Sequence, residues 1–269
     1  MPDPVDLYDN VYANFESRAE AAVRHSAFGE DIGQSSWMTA AEWLRFADLV
    51  QVHEHSHVLE VGSGSGGPAV YLAAKRGCRV TGIDINEHGV RNAEHLAAGK
   101  SVADRVTFHV ADAGKPLPFS PSAFDAVLSN DAMCHISNRL EVLAEWHRVL
   151  RPRGRALLFV PAFMFLWGVQ DDISHHRRRY TVNELRTRLA EAGLTVERAT
   201  YANITFFMPI LIGRVIMRLT GVRPASENNI TIGALNGLLG WILGSERWWL
   251  QWLNFPFGVS IVCVAQRTD

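Results

Sequence analysis

The sequence predicts a doubly wound α/β domain, a mainly parallel sheet covered by helices on both faces. Three observations carry that prediction. Short apolar runs of strand length alternate with amphipathic helical patterns through the middle of the chain, which is how successive βαβ units read. The runs VLEV, RVTGI, FDAVLS and RALLFV are near-continuously apolar, as strands buried beneath two helical layers are. Acidic or polar residues close these runs, and open α/β sheets bind their ligands at the carboxyl ends of the strands.

Residues 1–50 precede the first strand and read as helical, with Tyr8, Val11, Tyr12 and Phe15 at helical spacing and a second apolar face in Trp43, Leu44, Phe46 and Leu49. Between them FGEDIGQSSWMT, residues 28–39, reads as a polar loop with one tryptophan. The first strand, VLEV from Val58, breaks into Gly62, Gly64, Gly66 and Gly67 and resumes as a helix from Pro68. Glycines let the backbone turn through positive φ and admit a ligand where a Cβ would intrude, while the helix start offers unpaired N–H groups. Such a turn seats a nucleotide-like cofactor. Gly62, Gly64 and Gly67 also spell the dinucleotide pattern G-x-G-x-x-G. Glu60 discriminates, because a carboxylate beside the turn suits a cationic ammonium and repels a pyrophosphate.

The second strand, CRVTGID, ends on Asp84, a carboxylate placed for ribose hydroxyls, and Ile85 after it offers an apolar face to a purine ring. A helix follows over Glu87 to Ala98. The third strand, VTFHVAD, ends at Asp112, and a helix-poor stretch runs to Ser122. The fourth, FDAVLSND, ends over Ser129 to Asp131. A helix from Arg139 to Leu150, the turn RPRG and the strand RALLFVPA come next. Thr181 and Glu184 form a capping box for a helix that Gly193 closes. Residues 204–256 are unusually apolar, uncharged for 18 positions from 228 to 245 and for 19 from 248 to 266, close to membrane-span length. Asn, Gly, Gln and Pro interrupt both runs, so the expectation is a helical insertion over the pocket before a last strand, GVSIVCVAQ.

The acidic residue followed by G-x-G-x-G, here Glu60, Gly62, Gly64 and Gly66, resembles the first motif of class I S-adenosylmethionine-dependent methyltransferases. That resemblance implies a Rossmann-like seven-stranded sheet of order 3-2-1-4-5-7-6 with an antiparallel last strand, and S-adenosyl-L-methionine as cofactor, leaving S-adenosyl-L-homocysteine. It implies that Glu60, Gly62, Ser63, Gly64, Gly66, Asp84, Ile85, Ser129 and Asn130 bind the cofactor, and that Asp112, with Ala113, receives the adenine amino group. It implies a lid in the N-terminal segment, with Gln34, Ser35 and Trp37 near the methionine end.

SNDAMCHIS, residues 129–137, resembles the Asp-x-x-x-His pattern of small-molecule amine and alcohol methyltransferases, phosphoethanolamine methyltransferases among them. Asp131 then stands near the cofactor and His135 serves as general base or orienter, with Tyr12 a weaker contributor from the lid. Residues four apart in a helical turn share one face, so both can look into one pocket. Further on, His176, Arg178, Arg179, Tyr180 and Thr181 match the G-H-x-R-R-Y-T segment of a different branch, with His175 in place of the glycine. His176 is a second candidate base; the basic run Arg177 to Arg179 reads either as a solvated face or, with His176, as the lining of the pocket mouth for an anionic substrate group. The two halves resemble different branches, joining near Phe159, as recombination would leave them.

The domain expectation is a helical lid over 1–50, a cofactor-binding core over 51–202, an apolar cap over 203–256 and the last core strand over 257–269. Lys and Arg number 26 against 28 Asp and Glu, a formal net charge of −2, which gives no global electrostatic reason to bind nucleic acid. Cys78, Cys134 and Cys263 are scattered and without C-x-x-C spacing, so the sequence suggests neither a disulfide framework nor a metal. The opening MPDPVDLYDN is polar and acidic, unlike a secretory signal, and a cytoplasmic location is expected.

The function expected is methyl transfer to an O, N or C nucleophile of a small, partly apolar molecule. The competing readings are methylation of a membrane lipid or lipid-linked sugar, an NAD(P)-dependent oxidoreductase on the same fold, and a non-catalytic nucleoside-binding module. The apolar 203–256 region also raises a peripheral membrane or homodimer contact.

Overall fold

The computed structural model describes residues 12, 15, 21, 24, 25, 30–34, 38–222, 246, 249 and 252–269. Within them the elements follow in order as α1 (Ala40–Leu49), β1 (His57–Val61), α2 (Gly67–Arg76), β2 (Arg79–Asp84), α3 (Glu87–Gly99), β3 (Val106–Val110), β4 (Phe124–Asn130), α4 (Arg139–Val149), β5 (Leu150–Pro161), α5 (Val169–Ile173), α6 (Val182–Glu191), β6 (Leu194–Ala202), α7 (Ile204–Thr220) and β7 (Ser260–Arg267). Single 3₁₀ turns lie at Met133–His135 and Met164–Leu166.

One seven-stranded sheet runs β3-β2-β1-β4-β5-β7-β6. β1 pairs in parallel with both β2 and β4, so the strand order reverses between them and leaves a crevice at their carboxyl ends. β7 is antiparallel to both β5 and β6. Side chains alternate across the sheet as the strand period requires. Ala126, Leu128, Leu157 and Phe159 pack under α1, α2 and α3, while Val127, Ala156, Leu158 and Val160 pack under α4 and α6. Burial on both faces is why these strands read as continuous apolar runs.

Thr39 and Glu42 close a capping box on α1, and the buried Trp43 indole donates to the Pro68 carbonyl at 2.8 Å, fastening α1 across α2. Thr181 and Glu184 do the same for α6, and Gly193 just beyond it sits at φ 81°. β5 runs unbroken through Phe159, the expected join between two families, inside the buried sheet.

Two expectations are corrected. LRPRG is the start of β5, not a turn: the fully buried Leu150 pairs with Phe124, and the chain accommodates Arg153 at φ 67° beside a register shift between Phe124 and Ala126. After β4 the backbone turns sharply at Asp131, φ 54°, into a single 3₁₀ turn, so Asp131 and His135 do not share a helical face. The apolar insertion supplies α7, while residues 223–245 lie outside the described residues. None of the helices among the described residues is long and apolar enough to cross a membrane.

Candidate cofactor and acceptor site

The glycine turn after β1 stands at the reversal point. Gly62, Gly64 and Gly66 hold φ of 78°, 50° and 75°, a region open to glycine and costly for residues with a Cβ. The turn is also tightly covered. A Cβ on Gly62 would lie 2.4 Å from the Ala132 Cβ, one on Gly64 would lie 2.9 Å from the Tyr12 hydroxyl, and one on Gly67 would lie 2.1 Å from the Ile32 carbonyl oxygen. The segment after β4 and the N-terminal segment therefore both press against this turn. Asn92 on α3 ties the latter down by donating to the Tyr12 carbonyl at 2.7 Å.

Asp84 is oriented by its surroundings. Its carboxylate accepts from Gly64 N–H at 2.8 Å through Oδ2 and from Asn86 N–H at 2.9 Å through Oδ1. Burial raises its pKa, and the N–H bonds from Asn86, Gly64 and Ile85 oppose that rise. Each oxygen keeps a lone pair for a ligand hydroxyl. Ile85 beside it is 50% exposed, an apolar face available to a ring.

Glu60 lies on β1, paired across to Gly82 and Leu128, and is buried. Burial pushes its carboxyl up to about 8, the neighbouring Asp84 adds to the rise, and a backbone N–H from Ala69 at the start of α2 opposes it. Its Oε2 has no hydrogen-bond partner, nor have the buried Ser63 and Ser129 hydroxyls nearby on the same crevice. A buried polar atom without a partner costs roughly 1–3 kcal/mol, so three of them at the ends of β1 and β4 mark a place completed by a polar ligand. Asn130 donates to Met38 Sδ at 3.4 Å.

The residue at the end of β3 is less committed to a ligand. Asp112 Oδ1 accepts from Gly114 N–H at 2.8 Å, closing its own turn, and Oδ2 faces Lys115 at 3.6 Å. Ala113 is half-buried in that turn. Gln34 is buried, its Oε1 accepts from Ile32 N–H and its Nε2 donates to the Glu30 and Met38 carbonyls. Its amide holds the N-terminal loop together. Ser35 and Trp37 lie outside the described residues.

A second group of side chains faces the crevice from the turn after β4. Burial pushes the Asp131 carboxyl up to about 6, against the lowering charges of His176 and Arg179. His135 is driven down to about 4 by burial and by His176, so its imidazole is neutral at pH 7. The His135 and His176 rings meet edge to face with centroids 5.0 Å apart. What brings them together is the segment before α6: Arg177 N–H donates to the Cys134 carbonyl at 2.8 Å, and the Tyr180 hydroxyl donates to the Met133 carbonyl at 3.2 Å while accepting from Arg139 at 2.6 Å.

Asp171 is the residue that sequence reasoning missed. It is fully buried and pairs with His176 Nδ1 at 2.9 Å and Arg179 Nε at 2.8 Å. Burial alone would raise its carboxyl, but the bond from His176 and the Arg179 charge hold it at about 2. The result is a carboxylate–imidazole dyad in which Nδ1 of His176 is engaged and Nε2 is not. Two arginines of the basic run already meet carboxylates. Arg179 is buried between Asp171 and the Ala162 carbonyl, and Arg178 pairs with Glu184.

Residues 59–158 match the family model described as a methyltransferase domain, and the sheet order is the one expected of class I. These residues form a methyltransferase domain, on a sheet of the class I order. The chain is 33% identical over 166 residues to the 27-O-demethylrifamycin SV methyltransferase of Amycolatopsis mediterranei, across 58% of this chain and 60% of that one. It is 27% identical to the glycine/sarcosine/dimethylglycine N-methyltransferase of Actinopolyspora halophila, over 92% of this chain and 47% of that one. The chain thus spans about half the length of these curated relatives. Phosphoethanolamine N-methyltransferase 2 of Haemonchus contortus, solved with S-adenosyl-L-methionine, superposes with a TM-score of 0.65 at 18% identity, covering 100% of this chain and 61% of that one. S-Adenosylmethionine is the cofactor of this methyltransferase family. The unpartnered Glu60 Oε2 beside the glycine turn fits its cationic part.

Proposed function

We propose that this chain transfers the methyl group of S-adenosyl-L-methionine to an oxygen, nitrogen or carbon nucleophile of a small, partly apolar molecule. The observation that carries the reading is Glu60: a buried carboxylate with one oxygen lacking a partner, at the glycine turn, next to the ribose-ready Asp84. A carboxylate there favours an ammonium or sulfonium and disfavours the pyrophosphate of a nicotinamide dinucleotide.

In this reading Asp84 accepts from the ribose hydroxyls, Ile85 packs on the adenine, Asp112 and Ala113 border its amino group, and Gly62, Ser63, Gly64, Gly66, Ser129 and Asn130 shape the rest of the cradle. When bound, the cofactor supplies a methyl group already activated by its sulfonium. The protein aligns the nucleophile, excludes water and takes a proton where the acceptor has one to lose. His176, oriented by Asp171, is the better placed proton acceptor, because its Nδ1 is committed to the carboxylate and its other nitrogen is not. The neutral His135 and Asp131 position the acceptor beside it, and Tyr12 closes the glycine turn above.

A lipophilic or lipid acceptor is the second reading. α7 exposes Met208, Ile212, Ile216 and Leu219 along one side, spacing that puts them on one helical face. Isothermal titration with S-adenosylmethionine, S-adenosylhomocysteine and NADH, followed by an acceptor screen reading out homocysteine, tests the function. Tight binding of both nucleosides and loss of that binding in Asp84→Ala is the expected result. NADH binding equal to theirs overturns the assignment, and nucleoside binding with no acceptor methylated leaves a binding module instead.

A further inference from the structure

Among the described residues, one group of metal-ligating side chains comes together: Cys134, His135 and His176, with one donor atom from each lying within 4.8 Å of the others. Cys134 and His135 are on the 3₁₀ turn after β4, and His176 is 41 positions further on by its number, so only the fold unites them. The backbone bond from Arg177 to the Cys134 carbonyl fixes the two segments at 2.8 Å.

The surroundings are built as metal sites are built. Ligating imidazoles commonly give their second nitrogen to a carboxylate or carbonyl, which fixes the ring and raises its basicity. His176 does so to Asp171 at 2.9 Å, and Asp171 is itself held by Arg179 Nε and Gly168 N–H, each at 2.8 Å. His135 interacts with the His175 backbone. Cys134 is fully buried and its Sγ points at the Asp131 carbonyl at 2.9 Å.

A thiol and two imidazoles are borderline-to-soft donors that select zinc-type ions over magnesium or calcium. Three protein ligands are also the number that leaves a fourth position for water or substrate. Bonds of about 2.0–2.1 Å to nitrogen and about 2.3 Å to sulfur require donors roughly 3.3–3.8 Å apart in a tetrahedron, so the side chains close by about 1 Å. Rotation about their own torsions supplies that.

We propose that Cys134, His135 and His176 bind a single zinc-type divalent cation on the acceptor side of the crevice. The Cys134 S–H bond breaks as the sulfur–metal bond forms, the proton leaves to solvent, and no electron is transferred. Occupancy withdraws both imidazoles from proton transfer and puts a cation beside Asp131. The site thereby makes acceptor chemistry responsive to metal.

Metal binding is measured without cofactor or acceptor, so its failure and the failure of the methyl-transfer reading are distinguishable. Chelator-stripped protein is titrated with Co²⁺ and followed by absorption. The expected result is a one-to-one endpoint, tetrahedral visible bands, a near-ultraviolet thiolate charge-transfer band, and displacement of all of them by Zn²⁺. Cys134→Ser loses the charge-transfer band. His176→Ala weakens Co²⁺ binding at least tenfold with an unchanged far-ultraviolet circular dichroism spectrum. A thiolate band that persists in Cys134→Ser, Co²⁺ binding without any such band, or equal affinity in His176→Ala overturns the proposal.

Discussion

At the scale of single residues, Glu60 has the sharpest consequences. Its folded carboxyl holds a proton up to about 8, against an ordinary value of 4.5. The unfolded chain releases that proton first, so stability from this group is greatest below about 4.5 and declines as pH rises to about 8. Thermal melts between about pH 5 and pH 9 are expected to show that decline in the ligand-free protein and a flatter profile in Glu60→Gln. A cation arriving beside the group reverses the preference: affinity for S-adenosylhomocysteine rises with pH to about 8 and binding releases a proton. Calorimetry in buffers of different ionisation enthalpy reads that proton directly, and Glu60→Gln should abolish it.

The two histidines separate at the same scale. For an acceptor that must lose a proton, His176→Ala is expected to lower kcat about 10²–10⁴-fold with cofactor affinity kept, and His135→Ala to act mainly on the acceptor's KM. Asp171→Asn, which disturbs the Nδ1 partner at 2.9 Å, should lower kcat in parallel with His176→Ala if the dyad acts as a unit. Steady-state kinetics with the acceptor found by screening checks all three.

At the scale of elements, the contacts that hold the crevice together are open to test. Tyr180 links the segment before α6 to the 3₁₀ turn through the Met133 carbonyl and Arg139. Tyr180→Phe keeps the ring but drops both bonds, an expected loss of about 1–3 kcal/mol in denaturant unfolding. Gly67→Ala adds a methyl 2.1 Å from the Ile32 carbonyl oxygen. The N-terminal segment must then lift, and the expected outcome is about 1–3 kcal/mol of lost stability together with weaker cofactor binding.

These elements also explain what the sequence disclosed. β1, β2, β4 and β5 were legible because burial on both faces forces a continuous apolar run, and the glycine turn was legible because positive φ at Gly62, Gly64 and Gly66 leaves little choice of residue. The partners of the histidines were not. Asp171 sits in QDDISHH among other polar residues, and nothing local distinguishes a carboxylate bound for the core from one bound for water. The same ambiguity made Arg178 and Arg179 look available when their charges are met by Glu184 and Asp171. Gln34 likewise reads as a polar lid residue, and only its three internal bonds reveal a structural brace.

At the scale of the whole molecule, the strand reversal between β1 and β4 gathers the site from distant parts of the chain. Glu60, Asp84 and the Ser129 to His135 stretch belong to three separate βα connections, yet they border one crevice. α7 presents Met208, Ile212, Ile216 and Leu219 to solvent. If the acceptor is lipid-borne, vesicle co-sedimentation is expected for the native protein and is lost when Ile212 and Ile216 are both changed to Glu. Equal sedimentation of the two proteins would exclude that face as the contact.

The meeting of Gly62 and Ala132 joins two segments. One is the glycine turn after β1 and the other the segment after β4, and between them at that point there is room for hydrogen alone. Any side chain at position 62 must push that segment away, so the absence of a Cβ there fixes how near the two come to each other.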